Sequence, residues 1–149
     1  MRKNEISIMS DDRRVRRFNT GALYGKKKKY TFDLLSERII GAAIQVHREL
    51  GPGFLESIYE EALKVELSKS QIKYETQKEI KIKYRDEEVG SHRLDMIVEN
   101  QIIVELKATK DLADVHYAQL RSYLKATGFK IGLLLNFAKP TVEIKRIVN

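Results

Sequence analysis

The 149-residue sequence contains no cysteine and no long apolar run. Without cysteine the chain can form neither disulfide bonds nor thiolate metal sites, which is typical of a reducing compartment. No apolar stretch approaches the roughly 20 residues needed to cross a bilayer, and the N-terminus lacks the apolar core of a signal peptide. The sequence therefore predicts a soluble, cytoplasmic protein with no membrane partner.

A glycine-rich phosphate loop is also missing, because the "GPG" of residues 51–53 lacks the lysine that such a loop requires. The three histidines, His47, His92 and His116, are too scattered along the chain to indicate a zinc site. His47, inside an amphipathic pattern, is typical of a packed residue. The sequence gives no sign of P-loop nucleotide binding or of a zinc centre.

Positive charge is concentrated at the start of the chain. The net charge is +7, and residues 1–30 hold ten Lys or Arg residues against three acidic ones, so residues 31–149 are neutral overall. Such an arm could bind phosphate backbones through counterion release, or it could be a solvated leader ahead of the domain. We therefore expect a basic, flexible arm over residues 1–30 and one folded domain over residues 31–149.

Hydrophobic periodicity predicts a mixed α/β domain after the arm. Apolar residues recur at three- and four-residue steps in three segments, which predicts helices over residues 31–50, 54–70 and 111–127. Alternating or continuous apolar runs predict strands over residues 74–85, 94–98, 102–108, 130–137 and 141–148.

Short polar and glycine segments predict where these elements end. Thr31 or Asp33 is expected to cap the first helix, and Asp111 the last one. Gly128 is expected to end the last helix, and residues 86–90 are expected to form a turn between two strands.

The stretch "LDMIVENQIIVELKA", residues 94–108, predicts a β-hairpin with its turn at residues 99–101. In that register Asp95 lies opposite Glu105, and Lys107 lies two residues further along the same face. The opposite face is apolar throughout and is expected to pack on a helix layer, with Leu94, Met96, Val98, Ile102, Val104 and Leu106.

Directly paired Asp95 and Glu105 would repel each other, because like charges in cross-strand pairs are destabilising. A hard divalent cation such as Mg²⁺ would compensate, and Lys107 could then hold a water nucleophile or neutralise a phosphate. The alternative is a surface ladder of salt bridges in which Arg93 and Lys107 neutralise the two acids. The spacing D…E-x-K does not by itself decide between these interpretations.

Two helical motifs accompany the hairpin. In "GFLESIY" Glu56 and Tyr59 are three residues apart and share one side of a helix, where Glu56 could add a carboxylate beside the metal. In "HYAQLRSY" Gln119 and Tyr123 are four residues apart, and His116 precedes Gln119 by three, so all three project to similar sides.

From Ile39 to Val148 the chain resembles the GxxExxY proteins, a group within the PD-(D/E)XK nuclease superfamily. The resemblance rests on "VHRELGPGFLESIYEEAL", "RLDMIVENQIIVELKA" and "HYAQLRSYLKATGFKIGLLLNF". It implies a restriction-endonuclease-like αβββαβ core, with a mixed central sheet flanked by helices. One departure is Leu94, which stands where the nominal motif has proline.

The resemblance also implies a metal site. Asp95 and Glu105 would bind Mg²⁺ or Mn²⁺, with the backbone carbonyl of Leu106 as a further ligand, and Glu56 could complete the site. Lys107 would orient the attacking water or stabilise the pentavalent phosphate.

Other residues would contact or position the nucleic acid. Gln119 and Tyr123 match the Q-x-x-x-Y pair of RecB-type nucleases, which helps to position the site and its substrate. Further candidates for nucleic-acid contacts are Lys78, Lys81 and Lys83 on the solvent-exposed face of the first strand, together with Tyr59 and His116.

These observations predict a metal-dependent nuclease that hydrolyses phosphodiester bonds, with DNA favoured over RNA as the partner. One alternative is a nucleic-acid-binding module that keeps the nuclease scaffold without turnover. A third is an accessory subunit that interacts with another protein, or a homodimer.

Overall fold

The structure, a computed structural model, describes residues 27–149, with side chains from Asp33 onward. The basic arm predicted over residues 1–30 lies almost entirely outside the described residues. No helix within the described part is long and apolar enough to span a membrane.

Three helices and five strands make up residues 27–149. They are α1 (Lys27–Leu50), α2 (Glu56–Lys69), β1 (Tyr74–Tyr84), β2 (Glu87–Val98), β3 (Ile102–Lys107), α3 (Asp114–Thr127), β4 (Ile131–Asn136) and β5 (Glu143–Val148). The strands form one sheet in the order β1-β2-β3-β4-β5. Strands β3 and β4 are parallel, whereas the other neighbours are antiparallel. Because parallel strands need a crossover, α3 connects β3 to β4. The predicted mixed α/β fold with an αβββαβ core is confirmed.

Apolar side chains cover both faces of the sheet. Helices α1 and α2 pack on one face and form the first core cluster with alternate residues of β2, β3 and β4. Helix α3 packs on the other face and forms the second cluster, which includes Leu120 and Leu124. Every residue of β4 is buried, as its continuously apolar sequence predicts for a strand covered on both faces.

A glycine permits the close approach of α3 to the sheet. A Cβ atom placed on Gly132 of β4 would lie 2.8–2.9 Å from side-chain carbons of Leu120. Such distances are below van der Waals contact, so a larger residue at this position would push Leu120 away from the sheet. The position of α3 relative to β3 and β4 therefore depends on the absence of a side chain at Gly132.

The hairpin of β2 and β3 has the predicted register. Met96 pairs with Val104, and Val98 pairs with Ile102. The turn closes through a hydrogen bond from the Gln101 N–H to the Val98 carbonyl, 2.9 Å long, and its two central residues have positive φ. The turn spans three residues, 99–101, as predicted, since Val98 pairs with Ile102.

One residue of the predicted apolar face lies on the other side. Leu94 packs in the second cluster, under α3, whereas Met96 packs in the first. Strict alternation would put both on one face, so it is interrupted at Asp95. On the neighbouring strand β1 the residue between the partners of Leu94 and Met96 is Gln77, which has a φ of 53°. The irregularity of both strands coincides with the predicted catalytic aspartate.

Several predicted element ends were wrong. Helix α1 begins before Thr31, so neither Thr31 nor Asp33 caps it, and the Asp33 carboxylate instead accepts a hydrogen bond from Arg146. Asp111 does not cap α3, which begins at Asp114, because its carboxylate pairs with Lys139. The breaks at residues 51–53 and at Gly128 are confirmed, since Gly128 has the left-handed conformation that ends a helix.

The predicted turn over residues 86–90 was also too long. Only Arg85 and Asp86 form the turn, both with positive φ, and β2 begins at Glu87. Strands β1 and β2 therefore extend past β3 as a two-stranded ribbon, because only Met96 to Val98 of β2 pair with β3. The sequence "DEEVG" is polar enough for a turn, but pairing with β1 holds it extended.

Candidate active site

Two carboxylates lie on adjacent strands at the site that the hairpin predicts. The Glu105 Oε2 atom accepts a hydrogen bond from the Asp95 N–H at 2.9 Å. In return, the Asp95 Oδ2 atom accepts one from the Leu106 N–H, also at 2.9 Å. Each carboxylate is therefore fixed against the backbone of the opposite strand. Each also has a second oxygen that could bind a cation.

The environment of the pair disfavours two negative charges. Burial, followed by the charge of Asp95, raises the pKa of Glu105 to about 8. Burial also raises the pKa of Asp95, and the hydrogen bond from Leu106 and the charge of Lys107 offset only part of this. Without a further positive charge, the pair holds a proton at neutral pH.

Lys107 is the lysine that acts electrostatically on both carboxylates. Its charge lowers the pKa of both Asp95 and Glu105. Its backbone is held in place, because the Lys107 carbonyl accepts a hydrogen bond from the Phe137 N–H at 2.9 Å. The sequence prediction that Lys107 shares the face of the carboxylates agrees with this electrostatic coupling.

The segment after Lys107 is fastened by a buried amide. Asn136 has no exposed surface. Its Oδ1 atom accepts from the Thr109 N–H at 3.1 Å, and its Nδ2 atom donates to the Thr109 carbonyl at 2.8 Å and to Glu143 at 3.1 Å. This amide therefore ties the chain that leaves β3 to strands β4 and β5.

The salt-bridge ladder considered as an alternative is not what the strands form. Arg93 lies beside Glu79 in the pairing of β1 with β2. The salt bridges of this ribbon join Lys78 to Glu75 and Lys81 to Glu88. The negative charge of Asp95 is instead partly offset by Lys107 and His92, and that of Glu105 by Lys107.

A carboxylate of α2, that of Glu60, interacts electrostatically with the pair, whereas the predicted role of Glu56 stays a prediction. The charge of Asp95 contributes to a raised pKa of Glu60, after burial, and the charge of Glu60 raises the pKa of Glu105. A hydrogen bond of 3.0 Å from Gln77 holds the Glu60 carboxylate against β1. Glu56 lies one helical turn earlier, exposed at the start of α2.

The sequence carried a signal for Glu60, because it is four residues after Glu56 and so lies on the same side of the helix. The G-x-x-E-x-x-Y motif contains Glu56 and not Glu60. Only the packing of Tyr59 and Leu63, which are both buried, decides which turn of α2 faces the sheet.

On the α3 side, His92 and Tyr123 form a stacked pair. Their ring centroids are 4.1 Å apart with an interplanar angle of 16°, and the Tyr123 hydroxyl lies 3.3 Å from His92 Nδ1. Burial raises the pKa of Tyr123, and the charges of Glu105 and Asp95 raise it further. Tyr123 therefore lies within electrostatic reach of both carboxylates, and its role in the site stays a prediction. Nothing in the sequence pairs it with His92, because a lone histidine on a strand carries little signal.

Two residues predicted to contact nucleic acid form contacts within the protein. Tyr59 is fully buried, stacks on Phe137 at 4.5 Å, and donates its hydroxyl proton to the Gly51 carbonyl at 2.6 Å. His116 accepts the Ala113 N–H on Nδ1 at 2.9 Å and so caps the start of α3. Gln119 is exposed one turn before Tyr123, and its predicted role stays a prediction.

The three lysines of β1 do not share one wet face. Pairing places Lys78 beside Leu94 and Lys81 beside Ser91, and consecutive odd and even positions lie on opposite faces. Lys83 follows a register shift between Ile82 and Lys83. All three side chains are exposed, but the predicted continuous basic face is wrong because residue 78 and residue 81 differ in parity.

The donor set fits a hard divalent cation. Carboxylate and carbonyl oxygens are the ligands that Mg²⁺ and Mn²⁺ prefer, and a cation would remove the repulsion that raises the pKa of Glu105. Within residues 33–149, however, no three histidine or carboxylate side chains lie close enough together to form a complete site. Asp95 and Glu105 could therefore hold such a cation together with water or substrate oxygens, as Mg²⁺ sites often do.

Known proteins provide an independent comparison. A crystal structure of a protein named SSO0001 has a similar fold, with a TM-score of 0.50 and 24% sequence identity over 62% of this chain and 49% of that protein. This chain thus spans about half the length of SSO0001, and the likeness concerns the fold alone. No curated protein matches the sequence. A family model described as the PD-(D/E)XK nuclease superfamily matches residues 33–147. The chain, with its Asp95 and Glu105-x-Lys107 on adjacent strands, belongs to the PD-(D/E)XK nuclease superfamily.

Proposed function

We propose that the domain over residues 31–149 is a metal-dependent nuclease of the GxxExxY group that hydrolyses phosphodiester bonds, with DNA as the favoured substrate. The observation that carries this proposal is the Asp95–Glu105 pair, whose hydrogen-bonded carboxylates lie beside Lys107. A pure binding module gains nothing from two mutually repelling carboxylates that face a lysine.

Asp95, Glu105 and the carbonyl of Leu106 would hold Mg²⁺ or Mn²⁺ together with water or substrate oxygens, and Glu60 would add negative charge from α2. When bound, the metal lowers the pKa of a coordinated water and neutralises charge on the phosphate. The hydrogen bonds from backbone N–H groups to Asp95 and Glu105 keep the two ligands in position before any ion arrives. Such preorganisation reduces the entropy cost of binding.

Lys107 orients the attacking water or stabilises negative charge on the phosphate. Its ammonium group can donate up to three hydrogen bonds, and its charge already acts on both carboxylates. Tyr123 lies on the α3 side of the same site, where its hydroxyl can donate to a phosphate oxygen. The two residues approach the phosphate from a strand and from a helix, respectively.

The test is cleavage of labelled single-stranded and duplex DNA and RNA with Mg²⁺ or Mn²⁺. The parent protein is compared with Asp95→Asn, which keeps the side-chain shape and removes the charge. Asp86→Asn is the matched control, because this exposed residue at the tip of the β1–β2 ribbon has positive φ, where asparagine is favoured. Cleavage that is lost in Asp95→Asn and kept in Asp86→Asn supports the proposal and selects the substrate.

Lys107→Ala separates metal binding from chemistry. We expect this variant to bind Mg²⁺ in calorimetry but to lose cleavage, because the ammonium group acts on the water or phosphate and not on the metal. Cleavage at the parent rate would contradict the role of Lys107.

Glu60 and Glu56 offer a comparison within one helix. We expect Glu60→Gln to weaken Mg²⁺ binding, since the Glu60 charge acts on Glu105, and Glu56→Gln to bind as the parent does. The reverse result would return the third carboxylate to Glu56, as the sequence motif predicted.

A parent protein that binds nucleic acid in a salt-sensitive way, cuts nothing and binds no metal would instead be a non-catalytic binding module. Its association with a second copy or an accessory protein stays a prediction, which a mass measurement in solution tests.

A further inference from the structure

The ribbon formed by β1 and β2 has one apolar face and one charged face. His92 pairs with Ile80, and Gly90 pairs with Ile82, so these four residues share a face with Leu94, which is buried in the second core cluster under α3. The opposite face of the same stretch is polar and consists of Glu79, Lys81, Ser91 and Arg93. The apolar face of the core therefore continues outward along the ribbon.

This outward continuation, which we call the ribbon shelf, consists of Ile80, Ile82, Gly90 and His92. Ile80 packs against the second core cluster, whereas Ile82 is partly exposed. A Cβ atom placed on Gly90 would meet no heavy atom within 4 Å in the part of the chain that the structure describes. The φ angle of Gly90 lies outside the left-handed region, so the backbone does not require glycine there. The space above Gly90 is thus open, with an apolar floor beside it.

Two aromatic rings border this open space. The rings of His92 and Tyr123 lie nearly parallel, with centroids 4.1 Å apart and an interplanar angle of 16°. His92 is the next residue on the same face of β2 as Gly90, and it is only partly buried. A flat ring placed over Gly90 would therefore contact the imidazole of His92 along the strand and the side chain of Ile82 across it.

The ribbon shelf is continuous with the candidate active site. His92 precedes Asp95 by three residues, which is about 10 Å of strand. The charge of Asp95 acts on His92, and the charges of Glu105 and Asp95 act on Tyr123. Only Met96 to Val98 of β2 pair with β3, so no strand of the sheet lies between this part of β2 and the site. A nucleic acid with one phosphate at the carboxylates can therefore place the base of a neighbouring nucleotide over Gly90.

The chemistry of the ribbon shelf fits a nucleobase with a free face. Apolar and aromatic side chains bind the flat faces of bases, and they do so with little regard to sequence because every base has such a face. The side chains of Ile80 and Ile82 carry no charge, so a phosphate group would gain nothing from them. In a duplex each base is paired and stacked within the helix, and its faces are not available without unstacking. The expected occupant is therefore a base of a single strand.

We propose that the ribbon shelf binds a nucleobase of single-stranded nucleic acid and thereby makes single strands the preferred substrate. The inference rests on the proposed nuclease function, because it names the substrate class of the site at Asp95 and Glu105. It assigns a role to the β1–β2 ribbon, which lies outside the D…E-x-K and Q-x-x-x-Y motifs.

Two oligonucleotides that differ only in their bases test the proposal without requiring cleavage. The probes are a fluorescently labelled oligothymidylate and a labelled abasic oligomer of the same length, which has the same phosphates and no bases. Ca²⁺ replaces Mg²⁺ in the binding assay. We expect the parent protein to bind oligothymidylate about tenfold more tightly than the abasic oligomer, the effect of one stacked base. Equal binding of the two oligomers would overturn the proposal.

Gly90→Ile fills the open space with a side chain that strands favour. We expect this variant to bind oligothymidylate about tenfold more weakly than the parent and the abasic oligomer equally well, so that the preference for bases disappears. Unchanged binding of the abasic oligomer also shows that the variant is folded. The matched control is Gly41→Ile, which adds the same side chain at an exposed position of α1 that is equally open, and it should keep the preference. A preference that persists in Gly90→Ile would overturn the proposal.

Two substitutions of His92 test the contribution of its ring. His92→Ala removes the ring and should lose the preference for oligothymidylate, whereas His92→Phe keeps a flat ring and should retain it. This rescue separates stacking from the hydrogen-bonding capacity of the imidazole, which both variants lack. Loss of the preference in both variants, or in neither, would contradict the role of the His92 ring.

Cleavage with Mg²⁺ is measured separately, so that the two proposals can fail independently. A parent protein that prefers oligothymidylate but cuts nothing refutes the nuclease function and supports the base-binding role of the ribbon shelf. A parent that cuts nucleic acid but binds both oligomers equally refutes the base-binding role alone. A parent that is dimeric, shows no preference for bases and becomes monomeric on Gly90→Ile would assign the ribbon shelf to a second copy of the chain.

Discussion

Glu105→Gln should stabilise the metal-free protein at alkaline pH while removing its metal site. Glutamine has nearly the shape of glutamate, and its side-chain oxygen can still accept the hydrogen bond from the Asp95 N–H. Unlike glutamate, glutamine carries no negative charge, so neither burial nor the charge of Asp95 destabilises it. The substitution therefore isolates the electrostatic cost of the catalytic carboxylate.

The size of the effect follows from the pKa of Glu105, which is about 8 in the folded protein against 4.5 for the free side chain. Between these values the folded state binds a proton that the unfolded chain has lost. The free energy of unfolding therefore falls as the pH rises through this window and becomes constant above about pH 8. Each pH unit costs about 1.4 kcal/mol, so that raising the pH from about 6 to about 9 removes about 3 kcal/mol.

The assay is urea unfolding of the parent and Glu105→Gln, with EDTA present, at about pH 6 and about pH 9. Other titrating groups are common to both proteins, so the informative quantity is the difference between their free energies of unfolding. This difference should shift by about 3 kcal/mol in favour of Glu105→Gln at the higher pH. Saturating Mg²⁺ at the higher pH should stabilise the parent by about 3 kcal/mol at a hundredfold excess over Kd, and leave the variant unchanged.

A difference that stays constant within about 0.5 kcal/mol between the two pH values would refute the reasoning. It would mean that Glu105 is ionised in the folded protein at both pH values, at little cost. The two carboxylates would then be well solvated and would not need a cation to offset their repulsion. Stabilisation of Glu105→Gln by Mg²⁺ would place the metal elsewhere.

Three further changes test the surroundings of the site. Mg²⁺ binding at about pH 7 should release about one proton per ion, because Glu105 must ionise to bind it. Calorimetry in two buffers of different ionisation enthalpy measures this proton release. A binding heat that is the same in both buffers would contradict the raised pKa of Glu105. Asn136→Ala should reduce the free energy of unfolding by about 2–4 kcal/mol in urea, since it leaves the backbone of Thr109 without its partners; a loss below about 1 kcal/mol would show that water replaces the amide. Gly132→Ala should cost about 1–3 kcal/mol by the same assay, because its Cβ would overlap Leu120, and unchanged stability would mean that α3 adjusts freely.

Much of the hairpin could be predicted because its determinants are local. Alternation along β2 and β3, with a three-residue turn between them, leaves one register in which the apolar residues share a face. That register predicts Asp95 close to Glu105; the structure has the register from Met96 to Val98, and the Asp95 N–H donates to the Glu105 carboxylate. The interruption at Asp95, which moves Leu94 under α3, could not be predicted, because it depends on the conformation of Gln77 in another strand.

Helix ends were harder to predict because several polar residues could act as caps. Asp33 and Asp111 have the right chemistry, but each finds a basic partner on β5 or in the loop before it. Asp33 lies inside α1, and Asp111 lies two residues before the cap position Ala113, so neither can cap a first turn. Sequence patterns cannot weigh these partners, since they lie far away in the chain.

The sequence by itself determined the order of elements, the two carboxylates on facing strands and the lysine beside them, because turn chemistry and strand alternation act over a few residues. Only the tertiary structure decided which helical side chains join them. The electrostatic effect of Glu60 on Glu105, and the stacking of His92 on Tyr123, depend on how α2 and α3 pack to bury Leu63 and Leu124. Burial of these apolar residues sets the rotation of each helix, and the polar groups of the site follow from it.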